Sequence, residues 1–398
     1  MSFADRPLRI LFISRQFWPV VHGAETQMLR LSAALARDGH TVQVLSARFD
    51  PRWPKQETLE NDRVPLLRLS SPRARGLGTI CFLGALASHL IRRRADYDIV
   101  HVNALKYSAA LAAFLCPRLG LPVLGRSVCA GSLGDMAHLR TLPTPRVMLR
   151  YLHRLDRVVA LSDAIRGELL ADGFSPNRIV LIPNAVDEEQ FRPPSPPERE
   201  AAQTLLPDAA RSRLIAVTTA RLATQKGLEY LIDAFREPGV RARWAAVILG
   251  EGEERSRLEG RVAQDGLARD VFFLGEVRDV RPWLHAADAF CLPSLFEGMS
   301  NSLLEAMACG LPILATRVSG TVDIVEDGKH GLLAVPSCSA DLAAGLKRLE
   351  DPRARRELGQ AARRRVEETC GLRRIARRHV DLYREMIGDK NRARNAAQ

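Results

Sequence analysis

Only 6% of the 398 residues are aromatic, and no recognised nucleic-acid docking motif accompanies the basic residues. The stacking platforms of single-strand binders are therefore missing, and no nucleic-acid partner is expected. The seven cysteines, Cys81, Cys116, Cys129, Cys291, Cys309, Cys338 and Cys370, are odd in number and never spaced C-x-x-C. That pattern argues against a disulfide framework or a zinc site and points to a reducing, cytoplasmic compartment. The first residues lack the basic region and long apolar stretch of a secretory leader. Long apolar runs are scarce throughout. The least charged, residues 76–91, is shorter than the ~20 residues of a spanning helix and contains His89. It is expected to form a buried or interfacial helix. No G-x-G-x-x-G follows the first predicted strand, which disfavours a dinucleotide oxidoreductase.

What remains is an ordinary globular composition, 46% hydrophobic and 26% charged, on a chain long enough for two domains. The net charge of +12 is unevenly placed: residues 63–166 hold sixteen Lys and Arg against five Asp and Glu. Such a patch suits an anionic membrane surface or a polyanionic substrate, and also fits a solvated basic face.

An apolar run of strand length, residues 8–14, precedes a loop and a helical pattern carrying Leu29, Leu31, Leu35 and Ala36, closed by Gly39 before a strand at 41–47. That order implies a parallel sheet. Further strands are predicted at 98–103, 121–127, 157–162 and 178–184. The proline-dense stretch 191–200 reads as an exposed connection between domains. Beyond it the alternation repeats, with strands at 213–220, 244–250, 271–275, 288–294, 311–316 and 331–335. The expected fold is α/β, with two doubly wound Rossmann-like domains, residues 1–190 and 201–375, facing each other across a cleft at the carboxyl ends of their strands.

The segment EGMSNSLLEAMACGLPILAT, Glu297 to Thr316, places two glutamates eight positions apart. Glu297 follows a predicted strand and belongs to a loop. Ser302 is an N-cap candidate with Glu305 three residues on, so a capping box would explain Glu305 without any ligand. A second reading takes loop and helix start together. Amides around Ser300, Asn301 and Ser302 offer an anion site, while Glu297 accepts hydrogen bonds from a sugar and Glu305 grips a ribose. Arg221 and Lys226, in ARLATQKG after the second half's first strand, supply cations for a diphosphate, though they also suit solvated surface charges.

These residues resemble family four of the retaining glycosyltransferases, with the GT-B fold, over nearly the whole chain. The carriers are the E-x7-E segment, ARLATQKG, VILGEGEE, FLGEV, RIVLIPNAVDEEQFRP and, more loosely, QFWPVVHGAET. The resemblance implies a nucleoside diphosphate sugar as donor substrate, with no cofactor. Glu297 would contact its sugar and Glu305 its ribose, while Arg221, Lys226 and the backbone of Gly298, Met299, Ser300, Asn301 and Ser302 would hold the diphosphate. Val277, beside Glu276, would edge the base, and Gly250 and Gly23 would line the donor site. His101 matches a position near sugar and acceptor, with a satisfied strand histidine as the alternative. Glu25 and Asp135 would face the acceptor. Residues 376–398 would form a helix returning to the first domain, then a tail.

Two departures concern the acceptor side. The N-terminal loop reads His22-Gly23-Ala24-Glu25, with one glycine where the family often has two, and the loop 128–139 replaces a histidine-containing one. Acceptor identity is therefore not carried over. The implied activity is retaining transfer of a hexose-type sugar to a hydroxyl of a saccharide or lipid-linked acceptor, in cell-surface polysaccharide, lipopolysaccharide or glycolipid synthesis. Arg221, Lys226, Glu297 and His101 would carry the reaction, without a side-chain nucleophile. No metal is expected: Asp96-Tyr97-Asp98 has the spacing of a metal-binding pair but precedes its strand. Arg92 to Arg94, Arg140, Arg146, Arg150 and Arg154 would allow peripheral attachment at the inner membrane face. The alternatives are another GT-B enzyme, an epimerase or phosphorylase, and a non-catalytic descendant, which would be expected to lack the cations and both acids.

Overall fold

The computed structural model describes residues 6–20, 22–60, 63–72, 76–131 and 134–396. Arg73 and Arg75 of the basic stretch, and Ser132 and Leu133 of the loop 128–139, lie outside them. The chain divides into two compact units, residues 1–185 with 372–398, and residues 186–371.

Unit 1 begins with β1 (Arg9–Ile13), α1 (Gly23–Arg37), β2 (Thr41–Arg48), β3 (Gln56–Leu59), β4 (Val64–Ser70) and α2 (Leu77–Arg92). It continues with β5 (Ile99–Asn103), α3 (Tyr107–Leu115), β6 (Val123–Ser127), α4 (Asp135–Arg140) and α5 (Pro145–Leu152). β7 (Arg157–Ala160), α6 (Asp163–Ala171) and β8 (Ile179–Leu181) complete the sheet, whose order is β3-β4-β2-β1-β5-β6-β7-β8. Every pairing is parallel except β3 with β4. Helices cover both faces, so β5 is buried at all five positions, and Leu11, Phe12 and Ile13 of β1 are fully enclosed. This double burial explains the unbroken apolar runs of the sequence.

Unit 2 holds α7 (Pro196–Gln203), β9 (Leu214–Thr219), α8 (Leu228–Ala234), α9 (Pro238–Arg243), β10 (Trp244–Leu249), α10 (Arg255–Gln264) and β11 (Val271–Gly275). It then adds α11 (Arg281–Ala286), β12 (Ala289–Leu292), α12 (Asn301–Ala308), β13 (Ile313–Thr316), β14 (Leu332–Ala334), α13 (Ser339–Arg348) and α14 (Pro352–Cys370). The sheet order β11-β10-β9-β12-β13-β14 is that of a Rossmann fold, with all pairings parallel. Trp244, Phe235, Ile232 and Leu346 pack in its core. The final helix, α15 (Leu372–Asn395), belongs to unit 1.

Two expectations need correcting. The proline-dense stretch is not a bare connection: Pro196 opens α7 inside unit 2, and Glu198 accepts hydrogen bonds from the Ser195 amide and hydroxyl, both at 2.7 Å. Proline suits the first helical turn because that amide has no intrahelical acceptor. The strands β3 and β4 were missed, since charged Glu57 and Arg68 interrupt their apolar pattern. Among the described residues, no helix is long and apolar enough to cross a membrane.

Candidate functional site

In a doubly wound sheet, ligands bind beyond the carboxyl ends of the strands, where the strand order reverses. In unit 2 this point lies between β9 and β12. The loop after β9 carries Arg221 and Lys226, and the loop after β12 carries Glu297 and Gly298 before α12. Lys226 Nζ donates to Glu297 Oε1 at 2.5 Å, and Ser294 Oγ donates to the same oxygen at 2.7 Å. Ser319 Oγ caps the Glu297 carbonyl at 2.8 Å. Glu297 is thus an enclosed carboxylate, 6% exposed, held by one cation and one hydroxyl. Arg221 is exposed and, among the described residues, has no ion-pair partner.

Ser300, not Ser302, caps α12: its Oγ accepts from the Leu303 amide at 3.3 Å, while Ser302 lies inside the helix. Glu305 is therefore not three residues past the cap, and the capping-box explanation of this acid does not hold. Glu305 is 8% exposed, in the middle of α12. Gly298, Met299 and Ser300 are buried, and Asn301 and Ser302 half-buried, along the approach to that helix. The strand ends close the rest of the site. Gly250 follows β10 with φ +132°, and a Cβ there would sit 1.9 Å from the Ala220 carbonyl oxygen, so the loops after β9 and β10 meet through a position only glycine fits. The Gly250 amide donates to the Gly275 carbonyl at 2.7 Å, bringing alongside the β11 loop that carries half-buried Val277.

The remaining expected residues lie in unit 1. His101, 2% exposed on β5, shares a 2.7 Å hydrogen bond between Nδ1 and the Tyr383 hydroxyl and stacks on His379 with ring centroids 5.8 Å apart. Burial, with His379 and Arg126 nearby, pushes its basicity well below the ordinary histidine value. Burial likewise takes His379 down to about 4. Arg126, buried beside them, donates to Asn103 Oδ1 at 2.9 Å and Asn184 Oδ1 at 2.5 Å. Gly23 is the first residue of α1, and Glu25 accepts from the His22 amide at 3.0 Å. Asp135 is 3% exposed and accepts from the Val128 amide at 2.8 Å and Ser127 Oγ at 3.2 Å. Burial raises its pKa, against the pull of those bonds. Asp98 is tied to Arg6 and Arg9 at 2.9 and 2.8 Å.

The family model for group 1 glycosyl transferases matches residues 213–351, and the model for glycosyltransferase family 4 matches residues 21–190. The chain belongs to the family-four glycosyltransferases. A relative, the MMP α-(1→4)-mannosyltransferase of Mycolicibacterium hassiacum, is 27% identical over 96% of this chain and 98% of its own. The GDP-mannose-dependent α-mannosyltransferase of Corynebacterium glutamicum is 27% identical over 82% of this chain and 77% of its own. Among solved structures, Anabaena HepE in complex with UDP superposes with a TM-score of 0.78 at 21% identity, covering 94% of this chain and 99% of that one. The fold is accordingly GT-B, built from two Rossmann-like units.

For this glycosyltransferase, sequence reasoning missed the residues that hold the expected ones in place. Ser294 stands three positions before Glu297 at the end of a predicted strand, which was a usable signal. His379 and Tyr383 are separated from His101 by more than 270 positions, and no local pattern could have joined them.

Proposed function

We propose that this glycosyltransferase is a retaining enzyme, moving a hexose-type sugar from a nucleoside diphosphate sugar to a hydroxyl of a saccharide or lipid-linked acceptor. The observation that supports it most is the Lys226–Glu297 pair at the β9/β12 switch point, one short loop before the N-terminus of α12. A diphosphate at the helix start would compete for Lys226, with Arg221 as the second cation. Release of Lys226 would leave the Glu297 carboxylate to accept from the sugar's hydroxyls, while Glu305 takes the ribose. Charge then grows on the departing phosphate against fixed cations. The leaving phosphate oxygen takes the proton of the incoming hydroxyl on the same face of the sugar, so Glu297 orients the sugar and forms no bond to it. A nucleotide-sugar donor is in keeping with the GDP-mannose-dependent relative and with the UDP complex of HepE.

No step here calls for a divalent cation. Release of nucleoside diphosphate from donor, followed in EDTA and in magnesium, should proceed at equal rates. Lys226→Gln should lower kcat about 100-fold, the scale of removing one donor from a preorganised charge site. Turnover only with magnesium, or an unimpaired variant, would contradict the mechanism.

Placement in cell-surface glycan or glycolipid synthesis, at the cytoplasmic membrane face, draws on unit 1. Exposed Leu77, Ile80 and Ile91 on α2 and Val147 on α5 accompany exposed Arg146, Arg150 and Arg154. Each basic side chain near an anionic surface contributes roughly 1 kcal/mol. Flotation with anionic vesicles should recover the protein, and Arg146→Gln/Arg150→Gln/Arg154→Gln should lower recovery. Equal binding to neutral vesicles would sink this placement.

A further inference from the structure

The strand order of unit 1 reverses between β1 and β5, and beyond their carboxyl ends lies a cavity of about 300 Å³. Arg15, Glu25, Phe49, Lys106 and Tyr107 help to line it. Its charge is unbalanced. The Arg15 guanidinium lies 5.6 Å from the centre of the Phe49 ring, and its Nε is buried with no hydrogen-bond partner among the described residues. Among the described residues, neither Arg15 nor Lys106 is ion-paired. Burial lowers the pKa of Arg15, as expected of a cation that has lost water without gaining a carboxylate.

Lys106 stands at the N-cap of α3, whose first turn holds no acidic residue. An ammonium at the positive end of a helix is unfavourably placed unless an anion joins it. The turn that sets it there is strained, with Ala104 at φ +71° and the Lys106 amide donating to the Ala104 carbonyl at 3.0 Å. Glu25, the only carboxylate among the described lining residues, accepts from the His22 amide. Asp135, which does not line the cavity, interacts electrostatically with Lys106 but is itself occupied by Val128 and Ser127.

We infer that this cavity binds a phosphate group, with Arg15 and Lys106 as its cations, and that the enzyme's acceptor is a phosphorylated molecule. Tetrahedral phosphate suits the site because its oxygens can meet a guanidinium, an ammonium and the first-turn amides of α3 from different directions. The word acceptor rests on the transferase reading; the binding does not. Two sources share this chemistry, a soluble phosphate monoester and a lipid-linked diphosphate.

Calorimetric titration of the full chain with glycerol 3-phosphate, with glycerol as control, tests the site directly. The monoester should bind and glycerol should not. Arg15→Gln and Lys106→Gln should each weaken binding at least about tenfold, the scale of one charge-assisted contact, with Lys106→Arg restoring it and unfolding midpoints confirming that the variants fold. Lys226→Gln, in unit 2, should leave binding unchanged. Absence of binding, equal binding by the Arg15 and Lys106 variants, or loss in Lys226→Gln alone would overturn the proposal. A second arm uses detergent micelles with and without a polyprenyl diphosphate. Binding with the same two losses supports the lipid-linked source, and binding confined to glycerol 3-phosphate supports the soluble one. A protein that binds glycerol 3-phosphate but no nucleotide sugar would keep this site and end the transferase reading.

Discussion

Glu297, Lys226 and Ser294 form a unit that no one of them could form alone. A carboxylate at 6% exposure is costly without a cation, and Lys226 at 2.5 Å supplies one from a different loop. The loop that carries Lys226 also lies against the loop after β10, where glycine stands because backbone must pass backbone. Gly250→Ala would place a methyl group 1.9 Å from the Ala220 carbonyl oxygen at φ +132°. That change should cost unit 2 at least about 2 kcal/mol, read as a lower unfolding midpoint, with loss of donor binding even where the fold survives. An unchanged midpoint would show that the loops after β9 and β10 are not locked together. The acids and cations could be read from the sequence because each follows a predicted strand. Their pairing could not, since Lys226 and Glu297 are 71 positions apart. His101 shows the same limit: a buried strand histidine was a stated alternative, yet its partners on α15 were not foreseeable.

Among the elements, α12 departs from what its sequence suggests. The run Ser300-Asn301-Ser302 offers three capping residues, and local chemistry cannot choose among them; in the structure Ser300 keeps an extended backbone, at φ −79° and ψ 123°, and is the cap. Long, evenly apolar strands such as β10 were plain in the sequence, whereas β3 and β4, at one edge of the unit 1 sheet, carry charges that hide them. Helix α15 brings His379 against His101, with Arg126 also raising the cost of protonation. Both histidines are less basic in the folded protein than in the unfolded chain, so the unfolded state binds more protons as pH falls below about 6.5. Stability is therefore full above that pH and declines as pH falls towards about 4, by on the order of 3 kcal/mol for His379. His379→Gln should flatten the fall of the unit 1 unfolding midpoint between pH 7 and pH 5. An undiminished slope would assign that pH dependence to other groups.

Across the whole molecule, the chain crosses from one unit to the other twice, at 185–186 and 371–372, so a terminal helix made last in sequence belongs to the unit made first. Alternation of strands and helices announced two parallel sheets without fixing the first crossing, because the proline-dense stretch that resembled a boundary holds a capped helix; the return of the terminal helix was implied by the family resemblance alone. The two sheets divide the proposed chemistry: unit 2 holds a carboxylate–lysine pair suited to a nucleotide sugar, and unit 1 holds Arg15 and Lys106, not ion-paired among the described residues and suited to a phosphate. The most direct test of nucleotide-sugar recognition is thermal unfolding in EDTA with a panel of UDP-, GDP-, ADP- and dTDP-sugars, for the wild type and Glu305→Ala. Stabilisation by one donor, lost in the variant, is the expected result and names the base. No stabilisation of the wild type by any of them would contradict the assignment of unit 2 as the donor site.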